Sequence, residues 1–233
     1  LKLLHEVGDS DALVVNVIDI FDFNGSVIPG LPRFVSGNDV LLVGNKKDIL
    51  PKSVKAGKIS QWLMERAHEE GLRPVDVVLT SAQNKHAIKE VIDKIEHYRK
   101  GRDVYVVGVT NVGKSTLINA IIQEITGDQN VITTSRFPGT TLDKIEIPLD
   151  DGSYIYDTPG IIHRHQMAHY LTAKNLKYVS PKKEIKPKTY QLNPEQTLFL
   201  GGLGRFDFIS GEKQGFTAFF DNELKLHRTK LEG

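Results

Sequence analysis

The sequence predicts an α/β fold: a doubly wound, mostly parallel sheet followed by a small β-rich domain. Three observations lead there. β-branched apolar runs recur through the first half of the chain and are separated by stretches of helical spacing, the alternation that builds a parallel sheet with crossover helices. The turn Asp150-Asp151-Gly152 then stands between two short alternating runs, which adds one antiparallel hairpin strand. Beyond Gln166 the helical spacing stops, and short apolar runs punctuated by Gly and Asn take over. The reading therefore divides the chain into residues 1–165 and residues 166–233.

The elements follow in order. Residues 12–20 (ALVVNVIDI), 40–44 (VLLVG), 75–80 (VDVVLT) and 104–108 (VYVVG) are apolar and β-branched, as buried parallel strands are. Residues 53–71 form a helix with Ile59, Leu63 and Ala67 on one face and Gly71 as its stop. Residues 86–100 form another, with Ile88, Val91, Ile92 and Ile95 aligned. A third helix starts at Lys114 and runs to residue 125. The hairpin pairs residues 144–149 with 153–156. Residues 174–188 are Lys-rich, contain Pro181 and Pro187, and read as a linker. Strands are expected at 197–200, 205–209, 215–220 and 223–227.

Composition narrows the class. The 233 residues have room for one full-size domain and a small one. Hydrophobic content of 39% and charged content of 25% are those of a globular chain. No apolar run reaches the ~18 residues of a membrane-spanning helix, and the start, LKLLHEVGDSD, lacks a signal-peptide layout. Zero cysteines exclude disulfides and thiolate metal sites within the chain and suit a reducing cytoplasm. Net charge is +1, unevenly spread: residues 161–233 carry 12 Lys+Arg against 7 Asp+Glu, and the remainder is net acidic. A basic tail fits a polyanionic partner, or is a solvated surface.

The chemistry sits at strand ends. GVTNVGKS at 108–115 lies between a predicted strand and a predicted helix, the context a phosphate-binding loop requires. Its backbone N–H groups, including those of Asn111, Val112 and Gly113, can wrap phosphates at a helix N-terminus. Lys114 would neutralise β/γ oxygens, and Ser115, followed by Thr116, would offer a hydroxyl to Mg²⁺. DTPG at 157–160 ends another strand: Asp157 would hold Mg²⁺, and the Gly160 N–H would meet a γ-phosphate. In PGTT at 138–141, Thr141 stands next to the following strand and is the favoured Mg²⁺ and γ-phosphate ligand over Thr140. NKKD at 45–48 follows the strand VLLVG. The Asp48 carboxylate can accept from guanine N1–H and the 2-amino group, which adenine lacks. Asn45 can bond the base edge and brace the loop, the Lys46 stem can lie over the base, and the Ser81-Ala82 backbone can donate to guanine O6. The expected ligands are GTP or GDP with Mg²⁺. Rival readings are a nucleotide-stabilised binding scaffold and an ATP-using enzyme; Asp48 opposes the latter.

The order NKKD, TSA, GVTNVGKS, PGTT, DTPG, with the leading VVNVIDIFDFNGS and the distal GGLGRFDF, resembles the circularly permuted GTPases of the YqeH type. In an unpermuted GTPase the phosphate loop leads. Here Gly101-Arg102-Asp103 would fuse the old termini. The resemblance implies a bacterial cytoplasmic GTPase acting in small ribosomal subunit assembly, with a C-terminal domain suited to RNA or protein contact and protein factors as further partners. It also implies an N-terminal four-cysteine zinc module, which this sequence lacks; the expectation is a truncated chain or a variant without zinc, ending early after Leu231. Two positions bear on turnover. Ile161 stands where many GTPases carry a water-orienting glutamine, so intrinsic hydrolysis should be slow. Asn111 occupies the position that coordinates K⁺ in GTPases activated by that ion, so Lys114, Thr141, Asn111 and Gly160 form the expected catalytic set, with K⁺ stimulation.

Two weaker patterns remain. His163, His165 and His169 read as solvated or capping rather than as a metal site. Phe199, Phe206, Phe208, Phe216, Phe219 and Phe220 interleave with Arg205, Lys213, Lys225 and Arg228. Most of these aromatics are expected to form the core of the second domain, leaving the basic residues for RNA.

Overall fold

The computed structural model of the chain describes residues 2–127 and 144–232. These fall into two compact units: residues 1–48 with 53–166, and residues 49–52 with 167–233. The second unit thus includes four residues that directly follow NKKD.

In the first unit, helix α1 (Lys2–Asp9) leads into strand β1 (Leu13–Asp19). Two one-turn helices, α2 (Phe23–Ser26) and α3 (Leu31–Phe34), connect it to β2 (Val40–Asn45). Helix α4 (Ala56–Glu69) precedes β3 (Asp76–Leu79), and α5 (Lys85–Arg99) precedes β4 (Val104–Val107). Helix α6 (Lys114–Thr126) follows, then the antiparallel pair β5 (Ile145–Pro148) and β6 (Tyr154–Asp157). The sheet runs β3-β2-β1-β4-β6-β5, and every pairing except β5–β6 is parallel. From β1 the chain steps outward one way to β3; from β4 it steps outward the other way. With right-handed crossovers, α4 and α5 cover opposite faces. Helix α6 shares the face of α5 and packs on it. This is the doubly wound sheet the alternation predicts.

Its centre explains the uninterrupted apolar runs. Every residue of β1, β2 and β4 is buried, since both faces are covered. Ile59, Leu63 and Ala67 of α4 and Ile88, Val91 and Ile95 of α5 are the buried stripes, at the spacing the sequence shows. The Asn84 side chain caps α5 by accepting from the Ala87 N–H, and Lys100, in the left-handed region, ends it. The α5–β4 joint is then bound down by Arg102, which donates to Arg99 O, Tyr98 O, Asp11 O and Asp39 Oδ2. Renumbered from β4 as the first strand, the sheet order reads 2-3-1-4-5-6.

The second unit holds two small antiparallel sheets. Strand β7 (Lys188–Leu192) pairs with β10 (Gln214–Ala218). Strand β8 (Gln196–Leu200) lies between β9 (Arg205–Phe208) and β11 (Leu226–Lys230). Strand β7 was not expected, because KTYQL carries little apolar signal; β11 starts three residues later than the strand expected at 223. The expectation of an aromatic core is corrected. None of the six phenylalanines is buried, and Phe206 and Phe219 are 41% and 56% exposed. Ile185, Leu192, Leu198 and Leu224 fill the interior instead. Sheets this small enclose little volume, and compact aliphatic side chains fill it. The rings of Phe206 and Phe208 meet Phe216 edge-on or tilted at the surface.

Candidate functional site

In an open α/β sheet, ligands bind outside the carboxyl ends of the strands, where the winding direction reverses. Here that point is the β1–β4 pair. The loop after β4 is GVTNVGKS. A Cβ on Gly108 would lie 3.2 Å from Val17 O of β1, so this backbone packs directly on its neighbour strand. Gly113 has φ +82°, and a Cβ there would lie 2.6 Å from Asn45 Nδ2. Only glycine fits that corner. Asn111 also adopts positive φ, +68°. Helix α6 begins at Lys114, and its first hydrogen bond after the loop runs from Leu117 N to Gly113 O. The N–H groups of the preceding turn therefore converge at a helix N-terminus, a setting for an anion. Val112 is buried beneath the loop, while Asn111, Ser115 and Thr116 are exposed.

Lys114 and Asp157 face each other across β4 and β6. Lys114 Nζ donates to Asp157 Oδ1 at 2.5 Å and also to the Thr158 carbonyl. Both side chains are buried. Burial raises the Asp157 carboxyl above its usual range, and the adjacent ammonium works against that rise. The segment after Asp157 runs along the phosphate loop: Thr110 N–H donates to Ile161 O and Ile161 N–H to Gly108 O, each at 2.9 Å. Gly160 is exposed and sits against Thr110, whose Cγ2 would lie 3.2 Å from an added Cβ.

The NKKD loop is tied to the same place. Asn45 Nδ2 donates to Val112 O at 3.0 Å across 67 residues of sequence. Lys46, at φ +68°, sends its ammonium to Asp19 Oδ2 at 2.7 Å and to Asn111 O at 3.1 Å. The Lys47 N–H bonds Thr80 O, which locks NKKD to TSA. Thr80 and Ser81 are buried, Ala82 is half-buried, and Asp48 is exposed at the rim. Asn45 Oδ1 and Thr80 Oγ1 are buried with no hydrogen-bond partner among the described residues. Such unpartnered buried polar groups are costly to keep.

Thirteen of the fourteen residues selected from the sequence thus gather at one edge of the first unit. Thr141, with Thr140, lies outside the described residues. Two residues at this edge were missed. Asp19 ends β1 in register with Asn45, and the carboxyl-edge rule that located NKKD would have found it. Gln166 is buried and bonds Thr110, Asn111 and Gly25. A lone glutamine in a polar stretch carries no signal. His163 and His165 place their rings 5.8 Å apart.

A glycine-built loop at a central helix N-terminus, with its lysine against the aspartate of the adjacent strand and NKKD bound to its back, defines a P-loop GTPase domain read from a displaced starting point. The sequence comparisons agree. A family model described as "50S ribosome-binding GTPase" matches residues 103–195, beginning just before β4. The protein YqeH of Bacillus subtilis (strain 168) is 64% identical over 232 residues, covering 100% of this chain and 63% of that protein. The Arabidopsis thaliana protein "NO-associated protein 1, chloroplastic/mitochondrial" is 32% identical over 97% of this chain and 45% of its own length. Among solved structures, GDP-bound TM YlqF aligns with a TM-score of 0.47 at 24% identity, covering 77% of this chain and 66% of that one. The chain belongs to the circularly permuted GTPases of the YqeH type, and it spans about two-thirds or less of the length of the curated relatives named here.

Proposed function

We propose that this chain binds GTP with Mg²⁺ in the cytoplasm, hydrolyses it to GDP and phosphate, and uses the nucleotide state to govern its binding to ribosomal RNA or an assembling ribosomal subunit. The observation that carries the reading is the junction at Gly113, where the guanine-side Asn45 and the phosphate-side loop are one hydrogen-bonded body. A base held by the first and phosphates held by the second would then be at fixed separation.

The residues fit the ligands. Gly108 and Gly113 let β1 and Asn45 pack against the loop, so that its N–H groups converge at the start of α6, and Asn45 Oδ1 is buried without a partner among the described residues. Asp48 would accept from guanine, with Lys46 and the Ser81-Ala82 backbone completing base recognition. Lys114 would leave Asp157 and neutralise the β- and γ-phosphate oxygens. The N–H groups of Asn111 through Thr116 would surround the remaining charge. Ser115, Asp157 and Thr141 would hold Mg²⁺, which supplies charge stabilisation at the transferring phosphoryl group. Asn111 would offer an oxygen to K⁺ beside the phosphates. Ile161 has no group to orient water, and its backbone is engaged by the phosphate loop. Turnover by this chain alone is therefore slow.

The basic second unit, with its exposed phenylalanines and Arg205, Lys213, Lys225 and Arg228, suits RNA by stacking and phosphate contact. The small subunit is the partner proposed. The large subunit is a second reading, favoured by the words of the matching family model. Among the described residues no helix is long and apolar enough to cross a membrane. The test is GTP hydrolysis in KCl against NaCl at equal ionic strength, alone and with purified small or large subunits. Strong K⁺ dependence with stimulation by the small subunit supports the reading. Stimulation by the large subunit alone moves the partner. Slow turnover indifferent to both salts and particles favours a nucleotide-stabilised scaffold with incidental hydrolysis.

A further inference from the structure

Position 161 lacks a glutamine, yet one stands five residues on, used differently. Gln166 is buried, and both ends of its side-chain amide are engaged. Nε2 donates to Gly25 O at 2.8 Å and to Thr110 O at 2.9 Å. Oε1 accepts from Thr110 Oγ1 and from Asn111 Nδ2, each at 3.3 Å. An amide presents an oxygen on one side and an NH₂ on the other. With Nε2 committed to two carbonyls, Gln166 can offer Asn111 only its oxygen. Asn111 must answer with its NH₂ side, which turns Asn111 Oδ1 away from Gln166. A partner that fixes a ligand's orientation from behind is how proteins prepare cation sites.

We infer that Gln166 is a positioning residue that sets the facing of the Asn111 amide, so that the phosphate loop presents an oxygen to a monovalent cation. This rests on the reading of Asn111 as the K⁺ ligand. Without Gln166 the Asn111 amide loses the one side-chain hydrogen bond that fixes it among the described residues.

Gln166→Leu removes both ends of the clip. The chain is assayed for the K⁺ concentration giving half-maximal hydrolysis, and for affinity toward a fluorescent non-hydrolysable GTP analogue in KCl and in NaCl. The variant is expected to need roughly tenfold more K⁺, the worth of one lost hydrogen bond. Its preference for KCl in analogue binding should fall by a similar factor, while affinity in NaCl stays within about threefold. An aspartate at 111 has oxygen on both sides and needs no orienting, so Gln166→Leu added to Asn111→Asp should cause no further K⁺ defect. If Gln166→Leu does not fold, Gln166→Asn, which withdraws the amide by one methylene, carries the same test. A folded Gln166 variant with wild-type K⁺ response overturns the inference alone. So does equal loss of affinity in both salts and both Asn111 backgrounds, which would make Gln166 a simple brace. A wild type indifferent to K⁺ overturns the reading of Asn111 as well.

Discussion

Replacing Gly113 with alanine tests the junction on which the proposed nucleotide site is built. At φ +82° an L-residue pays about 1–2 kcal/mol for the left-handed backbone. Its methyl would also sit 2.6 Å from Asn45 Nδ2 and expel it from Val112 O, which costs about 1 kcal/mol more. The expected destabilisation is about 2–3 kcal/mol. Asn45→Ala loses the same hydrogen bond and leaves the Val112 carbonyl without its donor, for about 1–3 kcal/mol. In the Asn45→Ala background, Gly113→Ala meets no amide and gives up no bond, so only the backbone term remains. The double variant should therefore fall short of the sum of the singles by about 1 kcal/mol. The assay is urea unfolding without nucleotide, followed by the fluorescence of the single tryptophan, Trp62, which lies in α4 of the first unit against Phe23. Additivity within about 0.3 kcal/mol would refute the contact.

Further outcomes follow from the same geometry. Lys114→Met leaves the buried Asp157 carboxylate without its cation and should cost about 3–5 kcal/mol at pH 7. Burial already raises the folded carboxyl above its unfolded value of 3.8, and losing Lys114 raises it further. The folded state then binds the extra proton, so this variant gains stability as pH falls toward the unfolded value of 3.8; a flat urea-midpoint profile would refute the argument. Asp48→Asn, at an exposed position, should lower GTP affinity at least ~100-fold in a fluorescent-nucleotide titration while leaving the urea midpoint unchanged. Arg99 holds the Asp151 carboxyl down at about 2 from an ordinary 3.8. That contribution is present above pH 4 and is lost as pH falls through the folded value. The stability gap between wild type and Asp151→Asn should therefore close between pH 4.5 and 2, and a constant gap would count against the pair.

The fold was legible because its signals are local and periodic. The stripe Ile59, Leu63, Ala67 and the runs of β1, β2 and β4 announce their own burial. The gathering of these loops at one sheet edge was legible because each motif needs only its own strand end. Gln166 was not, since its role exists only through Gly25 and Thr110, 141 and 56 residues away. The phenylalanines of the second unit were misread for a related reason: whether a ring is inside depends on how much interior the sheets enclose. The strand Lys188–Leu192 was hidden because its pairing with β10, rather than its own pattern, makes it a strand.

The joint at Gly101-Arg102-Asp103 has a consequence for synthesis. Strands β1, β2 and β3 leave the ribosome before β4, although β1 must pair along its open side with β4, from Leu13 opposite Val104 to Asn16 opposite Val107. Until about ninety further residues are made, the apolar edge of β1 is bare, the kind of edge that recruits wrong partners. The half that carries NKKD is born first and the half that carries the phosphate-loop motif last. Under the proposed function, nucleotide would stabilise the nascent domain only at the end, after β4 has closed the sheet, and the first binding event would report that the domain has been completed.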